Sequence, residues 1–339
     1  MKTSAFDFNL PENLIAQKSA DKRIESRLMV YHKKSEKLEH KIFKRIVDYF
    51  NEGDLLVLNN TKVIPARLFG KKTTGAEIEL LLLKNIEGNL WEALAKPRKR
   101  LKVNKDIIIK NIKVKLVKKL DWGGVLIKFP DDINIDKFLD NHGKMPVPPY
   151  IKNENEHYLK KRYQTVFAEK RGSVAAPTSG LHFSQELLEK LKKKGVNITY
   201  ITLHVGLGTF RPVKVENIED FDIHSEYYEI EKRASDMINN TNGKIVACGT
   251  TVTRTLEYLM SEYGEIKPGK GWCDLFIYPG YEFKIVNNLI TNFHLPKSTL
   301  LMLISAMVNR DKILELYENA VNKKYRFFSF GDAMFIMND

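Results

Sequence analysis

Three histidines fall in segments that mix imidazole with hydroxyls, amides or carboxylates: His182, His224 and His294. An imidazole near neutrality can take up or release a proton, so each is a candidate general base or acid. His224-Ser225-Glu226 places an imidazole and a carboxylate two residues apart, on one side of the chain if the segment is extended. That arrangement lets a carboxylate orient a base, although simple alternation also produces such pairs. His182 closes residues 172–182, which carry few bulky side chains and lead into a helix. It can serve as base or substrate orienter, or hold the helix start in place. Residues 291–299 concentrate Asn292, His294, Lys297 and several hydroxyls between a strand and an apolar helix, where loops tend to carry function.

Other segments suit anions or rings. Gly249-Thr250-Thr251 reads as a strand-to-helix turn, whose unpaired backbone N–H groups and positive helix end attract an anion. Arg254, one turn further on, can add a bidentate contact, or be a surface arginine behind a threonine cap. Gly206 and Gly208 in HVGLGTF allow a ligand close to the backbone. Pro212 follows them, so this G-x-G does not continue into the helix that a dinucleotide or methyltransferase loop requires. Residues 325–332 bring four aromatics together with Arg326 and Asp332, a combination that stacks bases or builds a final core strand. The densest basic run, residues 96–100, is either a phosphate contact or a solvated loop.

The elements that position these residues are alternating strands and helices. Residues 27–31 and 55–58 read as buried strands. Between them Ile42, Phe43, Ile46, Val47 and Phe50 repeat at helical spacing up to a stop at Gly53. Residues 62–130 carry strand signals and no amphipathic helix. Glu77-Ile78-Glu79-Leu80 and residues 112–116 alternate with period two, and turns are expected at Gly70, Gly75, Gly88 and Gly123-Gly124. The three prolines of residues 143–150 exclude regular helix or central strand and mark a return linker. Beyond it, Ser184 caps a helix, with Phe183 packing on Leu188 and Gly195 past its end. Strands follow at 198–205 and 244–248, then a helix at 252–262. This pattern predicts a mostly parallel sheet. The expected fold is an α/β domain formed by both chain ends (1–61 and 150–339), with an inserted all-β, barrel-like domain (62–149).

Composition narrows the class. The 339 residues are 43% hydrophobic and carry a formal net charge of +13. Residues 62–149 hold most of the excess: extended by one to Tyr150, the segment has 19 Lys and Arg against 10 Asp and Glu. A basic β domain suggests a polyanionic partner such as nucleic acid. No apolar run reaches the length of a membrane span and no signal peptide is visible at the start, so a soluble cytoplasmic protein is expected. Cys248 and Cys273 are too few for a disulfide framework or a four-thiolate zinc site, and the eight histidines lack local metal-ligand spacing. No metal is expected.

Taken together and in order, eight segments resemble the S-adenosylmethionine:tRNA ribosyltransferase-isomerase family of queuosine biosynthesis. They are FDFNLPENLIAQ (6–17), VLNNTKVIPARLFG (57–70), RYQTVFAEKRGSVAAPTSGLHF (162–183), LHVGLGTFRPV (203–213), HSEYYEI (224–230), GTTVTRTLE (249–257), LITNFHLPKSTLLML (289–303) and YRFFSFGDAM (325–334). Small departures are Ser179 for alanine, Phe167 for tyrosine, Asn287 for aspartate, and Val252-Thr253 for Ser-Val.

The resemblance implies a substrate pair: tRNA bearing 7-aminomethyl-7-deazaguanine, and S-adenosylmethionine as ribosyl donor. Implied products are epoxyqueuosine-tRNA, adenine and methionine. Proton transfer falls to His182, His224 or His294, with Glu226 or Asp332 as orienter or second acid. Arg254 and the 249–251 turn would hold the methionine carboxylate or a phosphate, and Arg23, Arg326 and Lys297 would contact anionic groups. A monomer without a membrane partner is expected. A non-catalytic RNA-binding protein and an ordinary methyltransferase are the competing classes. The first leaves the polar loops of the α/β part unexplained, and Pro212 argues against the second.

Overall fold

The computed structural model describes residues 1–153, 155–206 and 213–339. In chain order the strands begin with β1 (Arg27–His32), β2 (Leu38–Ile42), β3 (Leu55–Asn59) and β4 (Thr61–Val63). Six more follow: β5 (Arg67–Lys72), β6 (Glu77–Glu87), β7 (Leu90–Lys96), β8 (Asp106–Ile109), β9 (Ile112–Lys119) and β10 (Val125–Lys128). After helices α1 (Ile135–His142) and α2 (Glu156–Arg162) come β11 (Lys170–Ser173), α3 (Gln185–Lys193), β12 (Asn197–His204), β13 (Glu226–Ile230), α4 (Lys232–Asn239) and β14 (Ile245–Cys248). The chain finishes with α5 (Thr250–Tyr263), β15 (Gly269–Cys273), β16 (Asn288–Asn292), α6 (Thr299–Met307), α7 (Arg310–Asn322) and β17 (Ala333–Met337).

Among the described residues the main sheet has nine strands in the order β15-β13-β12-β3-β14-β16-β17-β1-β2. Its centre, β12-β3-β14-β16, is parallel throughout. Every residue of β3, β14 and β16 is buried, as expected of strands covered on both faces. Alternation divides them: Leu55 and Val57 join the core under α4 to α7, while Leu56 and Leu58 join the core under α3. The flanks add antiparallel pairs at β16–β17, β1–β2, β12–β13 and β13–β15, with β17–β1 parallel. The sheet is therefore mixed, not mostly parallel: only β1–β2 is a short hairpin, and β17 runs antiparallel to β16 although two helices connect them.

The inserted unit is a closed barrel, β10-β7-β6-β5-β8-β9. Ile78, Leu80, Val114 and Leu116 point into its core while Glu77, Lys113 and Lys115 face water, so the period-two segments behave as read. Helix α1 closes one end with Ile135, Phe138 and Leu139, capped by the Asn134 side chain accepting from the Lys137 N–H at 3.0 Å. The barrel leaves from the carboxyl end of β3, and β11 returns beside β4 in a parallel pair.

Several local expectations are corrected. Phe43–Tyr49 is a 3-10 helix, with Ile42 in β2; Phe43 and Ile46, three residues apart, are its buried pair, and Phe50 is buried in the extended chain after it. Gly70 lies inside β5, where a Cβ would come within 2.6 Å of the Ile108 carbonyl oxygen; it permits close strand packing and does not turn the chain. The 325–332 segment forms an irregular loop before β17, with Phe328 at φ 72°.

Candidate active site

Parallel α/β sheets present their ligand crevice at the carboxyl ends of the strands. Here Val205, Asn59, Cys248 and Asn292 stand at or just past the ends of β12, β3, β14 and β16, and all four line one cleft. The remaining walls come from residues 176–179, from the start of α5, from the 292–298 loop, and from Tyr150 with Phe328-Ser329.

Gly249 opens α5 at φ 101°, a conformation L side chains rarely adopt, and its N–H donates to Ile290 O at 2.8 Å. Thr250 and Thr251 are already helical, so the turn is shorter than the sequence suggests. No side chain caps α5, whereas Asn134, Asn155, Ser184, Ser298 and Asn309 cap other helices. Thr250, Thr251 and Val252 line the cleft, which thus meets the positive end of a 14-residue helix.

His294 lies in the cleft wall. Its Nε2 is 2.8 Å from Thr291 Oγ1 and its backbone N–H donates to the Tyr317 hydroxyl oxygen. Burial holds the imidazole well below its usual range, to about 3, so it is neutral at physiological pH. Asn292 reaches from the same loop into the wall. Its Nδ2 faces His182 Nε2 at 3.1 Å and donates to Phe328 O, and its Oδ1 accepts from Ser179 Oγ at 3.2 Å. His182 stands behind this wall, with Ser26 Oγ 2.7 Å from its Nδ1. Desolvation, with Arg326 and Arg23 nearby, pushes it down to about 3 as well.

A second, small recess shares Thr250, Thr251 and Leu300 with the main cleft. His224 and Glu226 line it together, with His224 Nε2 3.7 Å from the Glu226 carboxylate. Among the described residues that nitrogen is sealed from solvent without a hydrogen-bond partner. Arg254 is no surface arginine: it is 7% exposed, its Nη2 lies 2.9 Å from Glu226 Oε2, and its Nε has no partner among the described residues.

The other sequence candidates lie elsewhere. Arg23 donates to the carbonyls of Leu181, Lys161 and Gln164, and burial lowers its pKa to about 10. Asp332 is fully buried; it accepts from the backbone N–H groups of Arg27 and Arg326 and from the Arg326 guanidinium. Lys297 pairs with Asp7 at 2.6 Å, both half-exposed. Gly206 lines a separate groove beside the barrel. Gly208 lies outside the described residues, as does Pro212. The structure also brings in Asn59, Tyr150, Ser26 and Ser179, which local sequence did not mark as site residues. Tyr150 packs against Phe328 with centroids 4.5 Å apart and the rings tilted by 34°, and its hydroxyl meets Ser329 Oγ at 2.6 Å. Its isolation after a proline run was the available signal.

The family described as "Queuosine biosynthesis protein" matches residues 3–336. The chain belongs to that family. A curated relative from Acetivibrio thermocellus named S-adenosylmethionine:tRNA ribosyltransferase-isomerase is 53% identical, over 99% of this chain and 100% of that one. Relatives of the same name from Halothermothrix orenii and Staphylococcus saprophyticus are each 52% identical over the same shares. Among solved structures, the S-adenosylmethionine tRNA ribosyltransferase of Thermotoga maritima is 39% identical, covers 98% of this chain and 100% of its own, and superposes with a TM-score of 0.57. Among the described residues no helix is long and apolar enough to cross a membrane, and no group of three His, Cys, Asp or Glu side chains is arranged to hold a metal ion.

Proposed function

We infer that the protein is an S-adenosylmethionine:tRNA ribosyltransferase-isomerase. It transfers and isomerises the ribosyl moiety of S-adenosylmethionine onto 7-aminomethyl-7-deazaguanine in tRNA, leaving epoxyqueuosine-tRNA, adenine and methionine. The observation that carries this reading is identity of 52–53% with relatives of that name over 99% of the chain. The donor occupies the cleft at the carboxyl ends of the parallel strands. The open N–H groups of Thr250 and Thr251 receive its carboxylate, and Tyr150 with Phe328 offers a ring surface.

The chemistry requires removal of a proton from the carbon beside the sulfonium, which the positive sulfur acidifies. Adenine then leaves the ribose, the amine of the RNA base attacks, and methionine departs as the epoxide closes. His224 is the proton acceptor: the Glu226 carboxylate, 3.7 Å from its Nε2, stabilises the imidazolium as it forms and leaves the other ring nitrogen to take the proton. Arg254 fixes Glu226. His294, held neutral, hydrogen-bonds the substrate, and His182 positions Asn292. Residues 1–61 and 150–339 act as the catalytic domain. The basic insertion, 62–149, contacts RNA phosphates through Lys96, Lys99 and Arg100, while Arg98 is held by the Leu120 carbonyl at 2.7 Å. The enzyme works as a cytoplasmic monomer.

The test is mass spectrometry of turnover with S-adenosylmethionine and tRNA carrying the precursor base. Equimolar adenine, methionine and epoxide-bearing nucleoside are expected. S-adenosylhomocysteine would instead identify a methyltransferase, and tight tRNA binding without product a binding protein. If alanine at each of the three histidines leaves turnover within about tenfold, the proton-transfer assignment fails.

A further inference from the structure

Strands β12 and β13 form a wall between two cavities. Val205 faces the reaction cleft, while His204 and Gly206 face a groove of about 840 Å³ between sheet and barrel. Likewise His224 and Glu226 line the reaction recess, while Ser225 and Tyr227 line the groove. Period-two alternation thus gives one wall two differently furnished faces.

The groove face carries a continuous ring surface. His204 and Tyr227 stack with centroids 5.5 Å apart at 10°, and Trp272 meets Tyr227 edge-on at 5.5 Å. Trp272 is 45% exposed and so leaves ring surface open to the groove. From the opposite wall Lys84 places its ammonium 4.3 Å from the Trp272 ring. The β6 register shifts between Leu82 and Lys84, a bulge that re-aims this side chain. Among the described residues Lys84 makes no ion pair.

Exposed rings beside an ammonium outside any ion pair are the elements that hold an unpaired nucleotide: ring for base, cation for phosphate. We propose that Trp272, Tyr227 and Lys84 form a stacking subsite for an RNA nucleotide flanking the one being modified. The strand wall places this subsite on the face opposite the donor cleft, so the RNA straddles the ends of β12 and β13 with the target base on one side and its neighbour on the other. The proposal rests on tRNA being the substrate, and adenine release in the turnover assay tests that reading separately.

Trp272→Ala, Tyr227→Ala and Lys84→Ala are assayed by steady-state turnover, varying tRNA and S-adenosylmethionine separately. Each ring deletion raises KM for tRNA by roughly 5- to 100-fold, the range for a lost base stack. Trp272→Phe restores most of it, and KM for S-adenosylmethionine stays within about twofold. A fluorescent purine analogue placed beside the modified base is quenched on binding the wild type and not on binding Trp272→Ala. Unchanged KM for tRNA in both ring variants overturns the proposal. So does a rise confined to KM for S-adenosylmethionine, which would put the donor adenine on the platform instead.

Discussion

Arg254 Nη2 and Glu226 Oε2 lie 2.9 Å apart at side-chain exposures of 8% and 4%, a charge pair almost removed from water. A pair so buried is costly to break, because the surviving charge loses its counter-ion without regaining its hydration. Glu226→Gln is expected to destabilise the fold by about 3–5 kcal/mol in urea denaturation. Glu226→Leu with Arg254→Met should recover most of that loss and yet stay inactive. A double variant as unstable as the single one would show that the pair's surroundings, not its charges, set the cost.

Stability should fall steeply in mild acid. His182 and His294 have their pKa values lowered from an ordinary 6.5 to about 3. The unfolded chain therefore binds their protons first as pH drops through the unfolded value, while the folded chain does not. Their contribution is fully present above the unfolded pKa and is lost between roughly pH 6.5 and pH 3. Together they add a slope approaching about 2.7 kcal/mol per pH unit in that window. Urea midpoints measured across it should flatten by about one proton's worth in His182→Gln, and an unchanged slope would contradict the burial described here.

Glu257 is wholly buried on α5 and its two oxygens accept four hydrogen bonds. The donors are the Tyr281 hydroxyl and the backbone N–H groups of Lys284, Ile285 and Val286. Glu257→Gln replaces one acceptor oxygen with an NH₂ facing donors. It should cost about 1–3 kcal/mol by thermal or urea unfolding, and Glu257→Ala more. Hydrogen exchange should rise first at residues 284–286.

Gly172 sits at φ 144°, and a Cβ there would come within 2.8 Å of the His204 ring. His204 is anchored by Thr61 Oγ1 at 2.8 Å and stacks on Tyr227. Gly172→Ala should strain the backbone by about 1–3 kcal/mol and push His204 out of its stack. If the groove holds RNA, KM for tRNA rises with it. Retained ring geometry in a crystal structure of the variant would refute the steric argument.

How much was legible in the sequence varies with the range of the cause. The barrel's alternation could be read from Ile78, Leu80, Val114 and Leu116, because period two is a local property of an extended chain with one wet face. Ser184 could be read as a cap, since a hydroxyl before an amphipathic run satisfies an N–H group only a few residues away. The order of eight long segments likewise sufficed for the family.

The site itself was decided by folding. His182, His224 and His294 look alike along the chain, yet one stands behind the cleft wall, one faces a recess beside Glu226, and one lines the cleft. Arg254 read as an anion contact or a surface arginine and Asp332 as an orienter or second acid; one is paired within the recess and the other holds a turn. Lys84, Tyr227 and Trp272 come from the barrel and from two different strands of the sheet, so no local pattern links them. Local periodicity follows from sterics within a few residues, whereas burial, counter-charge and facing direction depend on which distant strand ends the sheet brings together. That pairing alone put four strand termini around one cleft.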